Sequence, residues 1–274
     1  MNKKTLGLWL SLSLVTSPLF AFPQTELVPG GLIVIDLGHS QTKPDVRFNK
    51  KSVMLQQNPK AGWQALVGIP LTQPEGKLTV NVNGQDKHFD IKGYPYPEQH
   101  LTVQNKHVNP NTSQQNQISN DFKKMGPVYS SFSAATDFKG MYWPIRGTQS
   151  SGFGLKRYFN GQPRAPHSGL DIASPTGTPI MAPAAGKVVL AGDFYFNGNS
   201  VFIDHGQGLI SMLCHMSRID VKEGDSVNIG DQIGLVGATG RVTGPHLHWT
   251  VSLNNARINP KLLLAEGEAK ESKK

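Results

Sequence analysis

Two short segments in the C-terminal half of the chain carry residue types that can hold a metal ion. The first is His167-Ser-Gly-Leu-Asp171 and the second is His246-Leu-His248. If the second lies in a strand, alternation puts both imidazoles on one face, with Leu247 and Trp249 on the other. Each segment alone is a weak signal, because two histidines on one face can equally be a structural pair. Imidazole and carboxylate are both zinc ligands, so the two segments together indicate a metal site.

A third histidine, His215, lies between these segments, in the strand-like stretch 208–217. Its neighbour Cys214 has the residue type of a nucleophile. In a strand, however, Cys214 would point to the face opposite His215, so we interpret it as a small buried residue. His205 follows a strand-like run and is interpreted as structural.

In this order and spacing, the segments resemble peptidase family M23, the zinc metallopeptidases also called LytM or lysostaphin-like endopeptidases. The resemblance covers about residues 142–264 and extends beyond the histidines. Further matching blocks are 151–154, Arg164, 177–180, 185–188, 198–201 and 237–240. The sequence departs from the family at Leu213, where a tyrosine is common, so a phenol that could contact the substrate is missing.

The resemblance implies a role for each of the five residues. It implies that zinc is held by His167, Asp171 and His248. It assigns His215 and His246 to proton transfer and to stabilisation of the tetrahedral oxyanion, without indicating which is the main general base. Catalytic zinc typically has three protein ligands and a bound water, whose pKa falls to about 7. Histidine titrates near neutral pH, which suits general-base catalysis.

The activity that the resemblance implies is cleavage of peptide cross-links in peptidoglycan. One alternative is a non-catalytic LytM-like module that binds and activates a cell-wall amidase, although such modules lack part of the constellation that is complete here. A second alternative is a swinging-arm carrier domain, because 182–188 and 221–234 resemble halves of biotinyl and lipoyl motifs. The segment between those halves contains no lysine to modify, which argues against a carrier.

Composition points to a folded, mainly β protein. The chain has 274 residues, of which 38% are hydrophobic and 17% charged, with 29 glycines and 19 prolines. Many turn signals between short apolar runs favour strands over helix bundles. The single cysteine excludes an internal disulfide and a multi-cysteine metal site.

The N-terminal half, residues 22–108, is predicted to be an immunoglobulin-like β-sandwich. Its clearest local signal is a hairpin turn at Asn83-Gly84. The histidines of this half lack ligand spacing and are interpreted as surface or turn residues; they are His39, His88, His100 and His107. The segment also resembles the β-sandwich that precedes the peptidase in some Gram-negative M23 members. From that resemblance we expect partial autoinhibition, in which the N-terminal domain covers the groove.

The remaining segments complete the predicted organisation. Residues 109–137 form a polar linker with a helix over about 113–124 that begins at a serine cap. Residues 138–265 form the antiparallel β-sheet peptidase domain. Residues 266–274 are a charged tail.

The N-terminus has the pattern of a signal peptide over residues 1–21, with Lys3 and Lys4 before an apolar stretch. Its removal takes away two lysines and no acidic residue, so the formal charge falls from +8 to +6. The protein is therefore expected to be exported, either to the periplasm or beyond the cell. The expected partner is peptidoglycan. No nucleic-acid motif is present and no later apolar run is long enough for membrane insertion; protein partners are not indicated.

Overall fold

The structure is a computed structural model that describes residues 23–58, 62–103, 108–134 and 136–265. The predicted signal peptide, the charged tail and His107 lie outside the described residues. Over the described ranges, no helix combines the length and the apolar character needed to cross a bilayer. The expected mainly β fold is confirmed.

Seven strands build the N-terminal sandwich. They are β1 Leu32–Gly38, β2 Val46–Phe48, β3 Lys51–Ser52, β4 Met54–Asn58, β5 Gly62–Gly68, β6 Gly76–Val82 and β7 Gln85–Ile91. One sheet has the order β1-β5-β4 and the other β3-β2-β6-β7. Apolar side chains of both sheets, among them Ile33, Val67 and Val80, are fully buried in one shared core.

The predicted hairpin at Asn83-Gly84 is confirmed between β6 and β7. Val82 pairs with Gln85, and the φ angles of Asn83 and Gly84 are 50° and 84°. Positive φ at both central residues is what a two-residue hairpin of matching twist requires. The alternating burial of β6 follows from this pairing, because one of its faces meets the sandwich core.

The linker contains a longer helix than the sequence predicted. Helix α1 spans Thr112–Ser130, and its cap is Asn111, whose side chain accepts a hydrogen bond from the backbone N–H of Gln114. The predicted serine cap and the predicted end near residue 124 are therefore wrong. The helix continues through Pro127 because Met125 and Tyr129, four residues apart, are buried against the C-terminal sheet.

The C-terminal half is an antiparallel sheet with small additions. Its strands are β8 Glu98–Leu101, β9 Thr148–Ser151, β10 Lys156–Phe159, β11 Gln162–Pro163, β12 Leu170–Ala173, β13 Pro179–Met181, β14 Gly186–Phe194, β15 Gly198–Asp204, β16 Leu209–Ile219, β17 Ser226–Val227, β18 Gln232–Val236, β19 His246–Leu253 and β20 Ala256–Ile258. A 3₁₀ helix, Pro260–Leu263, ends the described chain.

The main sheet has the order β17-β14-β15-β16-β19-β12-β9, with β18 and β20 pairing at its sides. A small separate sheet has the order β11-β10-β8, in which β8 and β10 run parallel. Strand β8, which the sequence placed in the N-terminal sandwich, is therefore paired with the C-terminal half.

Two amide side chains join the sandwich to the C-terminal sheet. Gln207 accepts a hydrogen bond from the Leu55 N–H at 3.2 Å and donates one to the Leu55 carbonyl at 2.9 Å. Asn254 makes the same pair with Gly68, at 2.7 and 3.1 Å. Each amide thus makes hydrogen bonds with one backbone N–H and one backbone carbonyl, the groups that a neighbouring strand would otherwise bind. These two bidentate contacts fix the sandwich to the sheet that carries the site.

Candidate active site

Strands β12 and β19 place two of the candidate ligands directly opposite each other. Asp171 and His248 are partners in the antiparallel register, and His167 precedes β12. The Asp171 Oδ1 atom lies 2.9 Å from His167 Nε2 and 2.6 Å from His248 Nδ1. One ligand atom from each of the three lies within 4.8 Å of the others, and all three residues are buried.

A glycine makes this close approach possible. A Cβ atom at Gly169 would lie 2.8 Å from the His248 ring and 2.5 Å from the Trp249 carbonyl oxygen. Any side chain at this position would push β12 away from β19. The glycine within the first histidine segment therefore sets the distance between the two strands that carry the cluster.

The hydrogen bonds around His167 fit a metal ligand. Its Nδ1 faces the backbone carbonyl of Gly152, which only accepts, so Nδ1 carries the proton and Nε2 presents a lone pair. That lone pair faces the carboxylate of Asp171, which is also an acceptor. Two acceptors 2.9 Å apart repel unless a cation lies between them. The donor set of two imidazoles and one carboxylate suits zinc with an open fourth position.

Outer contacts orient the cluster. The second ring nitrogen of His248, Nε2, lies 2.9 Å from the hydroxyl of Thr250, on the same face of β19. Arg157 donates from Nη2 to Oδ2 of Asp171 at 2.8 Å. Contacts of this kind typically fix the orientation and basicity of metal ligands.

Burial and the neighbouring groups shift the protonation of the cluster in the direction that favours a metal. Burial lowers the pKa of His167 to about 4, so its imidazole is neutral at neutral pH. Burial alone would raise the pKa of Asp171, but the adjacent imidazoles of His167 and His248 outweigh it and lower that pKa. A neutral imidazole and an ionised carboxylate are the forms that bind a metal ion.

His215 reaches the cluster because the backbone of β16 is irregular at this residue. Its φ angle is 66°, in the left-handed region that non-glycine residues rarely adopt. Its N–H donates to the Asn197 carbonyl at 2.9 Å, outside the normal ladder. The His215 ring centroid lies 4.8 Å from that of His246 and 6.0 Å from that of His248.

His215 and His246 share one tautomeric arrangement. Nδ1 of His215 lies 2.9 Å from the Thr239 carbonyl, and Nδ1 of His246 lies 2.9 Å from the Gly244 carbonyl. Because a carbonyl only accepts, both Nδ1 atoms carry protons and both Nε2 atoms are left as proton acceptors in the neutral ring. Nε2 of His246 is 3.8 Å from Asp171 Oδ1. Burial, with smaller effects of His248 and His246, lowers the pKa of His215 to about 3.

The structure corrects the predicted orientation of Cys214. Cys214 is buried as expected, and burial raises the pKa of its thiol, as suits an unreactive residue. It does not point away from the site, however. Cys214 is the register partner of His248 and lies along the same groove as His215. The irregular backbone at His215 breaks the simple alternation on which the prediction depended.

The other histidines that the structure describes lie outside the cluster. His205 is fully buried and makes hydrogen bonds of 2.8 Å with the Ala185 carbonyl and 2.9 Å with the Ser211 hydroxyl, which agrees with a structural role. His39, His88 and His100 are exposed in the N-terminal half and in β8.

The cluster opens into a groove of about 990 Å³. One part of its lining belongs to β10 and to loops of the C-terminal half and carries Arg157, Phe159, Arg164, Phe196 and Arg241. Another part comes from β8, from residues that follow it and from the linker, and not from the sandwich strands: it contains Leu101, Val103, Val108, Pro110, Gln115, Ile118, Ser119, Phe122 and Lys123. Phe122 is 60% exposed, which is unusual for a large apolar side chain.

Two family models match the chain: Peptidase family M23 over residues 165–260, and Peptidase family M23 N-terminal domain over residues 25–92. A solved structure from Pseudomonas aeruginosa, described as a peptidase M23, is 39% identical with a TM-score of 0.74. The match covers 89% of this chain and 96% of that one. The chain belongs to peptidase family M23. This M23 protein thus shares its two-part architecture with a solved relative.

Curated relatives match about a third of this M23 protein. Peptidoglycan DD-endopeptidase ShyA of Vibrio cholerae is 44% identical over 35% of this chain and 22% of its own length. DD-carboxypeptidase/endopeptidase Mpg of Neisseria meningitidis is 43% identical over 34% of this chain and 22% of its own length. The alignments span less than a quarter of these relatives.

The structure brings together all five residues that the sequence singled out. Sequence reasoning missed Arg157, Arg241 and the linker wall of the groove. A lone arginine gives no signal in a chain with 27 lysines and arginines, since its partner is determined only by the fold.

Proposed function

We propose that the protein is a zinc-dependent endopeptidase that cleaves peptide cross-links of peptidoglycan outside the cytoplasm, most naturally in the periplasm. One observation carries the proposal. Three buried ligand atoms, on His167, Asp171 and His248, converge within 4.8 Å of one another, and two further imidazoles lie beside them in an open groove. The signal-peptide pattern of residues 1–21 supports export. The domain limits 22–108, 109–137 and 138–265 are part of the same proposal.

The roles follow from the donor and acceptor atoms. His167, Asp171 and His248 would hold zinc, which when bound supplies a Lewis acid for the scissile carbonyl and for water. His215 and His246 each keep a proton on Nδ1 through a carbonyl, so each offers Nε2 as a base at the groove. Either ring can accept the proton of the attacking water and return it to the leaving amine, while the protonated ring stabilises the oxyanion.

The substrate class is supported by the relatives and by the shape of the site. The curated relative in Vibrio cholerae is named a peptidoglycan DD-endopeptidase, and the one in Neisseria meningitidis a DD-carboxypeptidase/endopeptidase. The cluster lies in a groove of about 990 Å³, which has room for an extended peptide. The alternative is a non-catalytic module that activates an amidase. Such modules lack part of the constellation, whereas all five of its positions are filled here.

The test is release of muropeptides from purified sacculi by the protein without residues 1–21. We expect cross-linked dimers to fall to monomers. The His167→Ala variant and a chelated sample should both be inactive, and zinc should restore only the chelated sample. His88→Ala, at an exposed histidine outside the groove, is the matched control and should be fully active. If cross-linked dimers remain after treatment with zinc-loaded protein, the endopeptidase function is rejected and the amidase-activator function is favoured.

Partial autoinhibition is the second part of the proposal, and we assign it to the linker. The described groove-lining residues include six of the linker, between 110 and 123, three from 101–108, and none from the sandwich strands. Helix α1 is held over the sheet by its buried face, where Asp121 accepts a 2.8 Å hydrogen bond from the Tyr195 N–H. Ile118 and Phe122 continue the same side of the helix toward its N-terminus, where they line the groove and narrow the entrance for a polymer.

Point variants test this without removing the linker, which also covers an apolar part of the sheet. Phe122→Ala should raise kcat/KM on sacculi more than on a short soluble cross-linked peptide, because only the polymer is hindered by the wall. Lys124→Ala, on an exposed part of α1 outside the groove lining, is the matched control. An unchanged or lower rate on sacculi for Phe122→Ala would reject inhibition by the linker.

A further inference from the structure

The guanidinium of Arg241 is held between two aromatic rings in the groove wall. Its Cζ lies 4.7 Å from the Phe159 ring centroid and 4.4 Å from that of Phe196. Its backbone N–H also donates to the Phe196 carbonyl at 2.9 Å. Cation–π contacts with two rings hold the guanidinium in place. Its N–H groups only donate, and no described residue accepts a side-chain hydrogen bond from them.

No carboxylate of a described residue forms an ion pair with this charge. Within the described residues, Arg157 is paired with Asp171, Arg164 donates to the Val108 carbonyl and to Gln162, and Arg241 has no carboxylate within 4.0 Å. Burial, together with the positive charges of Arg157 and Arg164, lowers the pKa of Arg241 to about 10. It remains a cation at neutral pH, and a partly buried cation without a partner is costly.

The whole groove has an excess of positive charge. Its described lining contains four cationic side chains, on Lys123, Arg157, Arg164 and Arg241, and a single carboxylate, on Asp171. That carboxylate is already shared by Arg157 and two histidines. A bound divalent cation would make the groove more positive still. The missing negative charge must come from the molecule that enters.

We propose that Arg241 binds a free carboxylate of the substrate, on the residue next to the cleaved amide, and so determines which cross-links are accepted. The proposal rests on the proposed function, because it concerns the substrate of the same site. A rigid guanidinium fork matches a carboxylate with two parallel hydrogen bonds. Phe159 and Phe196 pre-organise the fork, which reduces the entropy lost on binding. Arg164 and Arg157 add a favourable field without direct contact.

Two synthetic cross-linked peptides test this. They differ only in whether the residue next to the cleaved amide carries a free carboxylate or a primary carboxamide. A hydrogen-bonded charge pair predicts that the wild-type kcat/KM is about 10- to 100-fold higher for the acid. Arg241→Gln should bring this acid-to-amide ratio to about one, and Arg241→Lys should restore part of it. Arg47→Gln, at an exposed arginine paired with Asp45, is the control and should keep the wild-type ratio.

Equal rates for the two peptides with the wild-type protein would overturn the proposal while leaving the endopeptidase intact. A ratio that Arg241→Gln leaves unchanged would also overturn it and reduce Arg241 to a packing role. If neither peptide is cleaved, the proposed function fails, and calorimetric binding of the same two peptides decides the subsite. Tighter binding of the acid that disappears in Arg241→Gln supports the proposal, and equal binding overturns it.

Discussion

Arg157 donates a 2.8 Å hydrogen bond to Oδ2 of Asp171, while the other oxygen of Asp171, Oδ1, faces His167 and His248. The two oxygens of one carboxylate are thus divided between an arginine and the imidazole pair. Gln99 accepts a 3.0 Å hydrogen bond from Nε of Arg157 and holds the guanidinium in turn. Arg157 therefore positions Asp171 so that a single oxygen is directed at the candidate metal position.

The first prediction follows from this contact. Replacing Arg157 by Gln should weaken zinc affinity by about 10- to 100-fold, as loss of a partner that orients a metal ligand typically does. Competition with a chromophoric chelator measures the affinity, and Arg47→Gln is the charge-matched control. Unchanged zinc affinity in Arg157→Gln would show that Asp171 is held by other contacts.

The second prediction separates metal ligands from catalytic residues within one strand. His248→Ala should abolish stoichiometric zinc binding, since it removes one of three ligands. His246→Ala should keep zinc and lower kcat by about 10²- to 10⁴-fold, the usual contribution of a general acid or base. Metal content after dialysis and turnover on a cross-linked peptide are the two measurements. Zinc loss in His246→Ala would require a different ligand set.

The third prediction concerns the contact between the two halves. Gln207→Ala leaves the buried N–H and carbonyl of Leu55 without their partner, at a cost of about 1–3 kcal/mol for each unsatisfied group. Denaturant unfolding measures the loss. Asn254→Ala tests the equivalent contact at Gly68. If both variants unfold at the wild-type denaturant concentration, the amide contacts contribute nothing to stability.

The fourth prediction is a pH dependence from His205, which lies outside the metal cluster. Burial lowers the pKa of His205 to about 4, from the ordinary histidine value of 6.5, so below pH 6.5 the unfolded chain takes up a proton that the folded protein does not. Stability is therefore unaffected above about pH 7 and decreases as the pH falls toward 4, by about 3 kcal/mol in total.

The control for this prediction is His205→Asn, whose amide can still donate to the Ala185 carbonyl but cannot titrate. Its free energy of unfolding should decline less steeply between pH 6.5 and 4 than that of the wild type. The proton uptake on unfolding near pH 5 should be smaller by about one. Parallel pH profiles for the two proteins would mean that His205 is protonated in the folded state.

The sequence predicts the members of the site better than their arrangement. His167, Asp171, His246 and His248 lie in short segments, where strand alternation and spacing are local properties that sequence reveals. Cys214 was assigned to the wrong face because the left-handed residue after it, His215, has no local signature. The left-handed backbone at His215 arises from the pairing of β16 with its neighbouring strands, which the local sequence does not reveal.

The same limit explains the linker. Polar composition predicted a helix between the two halves, but its end depends on Met125 and Tyr129, which contact the sheet. Tertiary packing of this kind overrides local propensity, here even across Pro127. That the exposed face of the helix forms a wall of the groove could not be predicted, because it depends on how the helix is docked.

The docking of α1 links the width of the groove entrance to the stability of the fold. Met125 and Tyr129 cover Phe202 and Met212 of the sheet, and the same helix carries Phe122 into the groove. Substitutions that loosen the buried face would widen the entrance and remove apolar cover together. Faster processing of the polymer through a displaced helix would therefore be accompanied by lower thermal stability. Only substitutions of exposed side chains in this wall would widen the entrance without that loss.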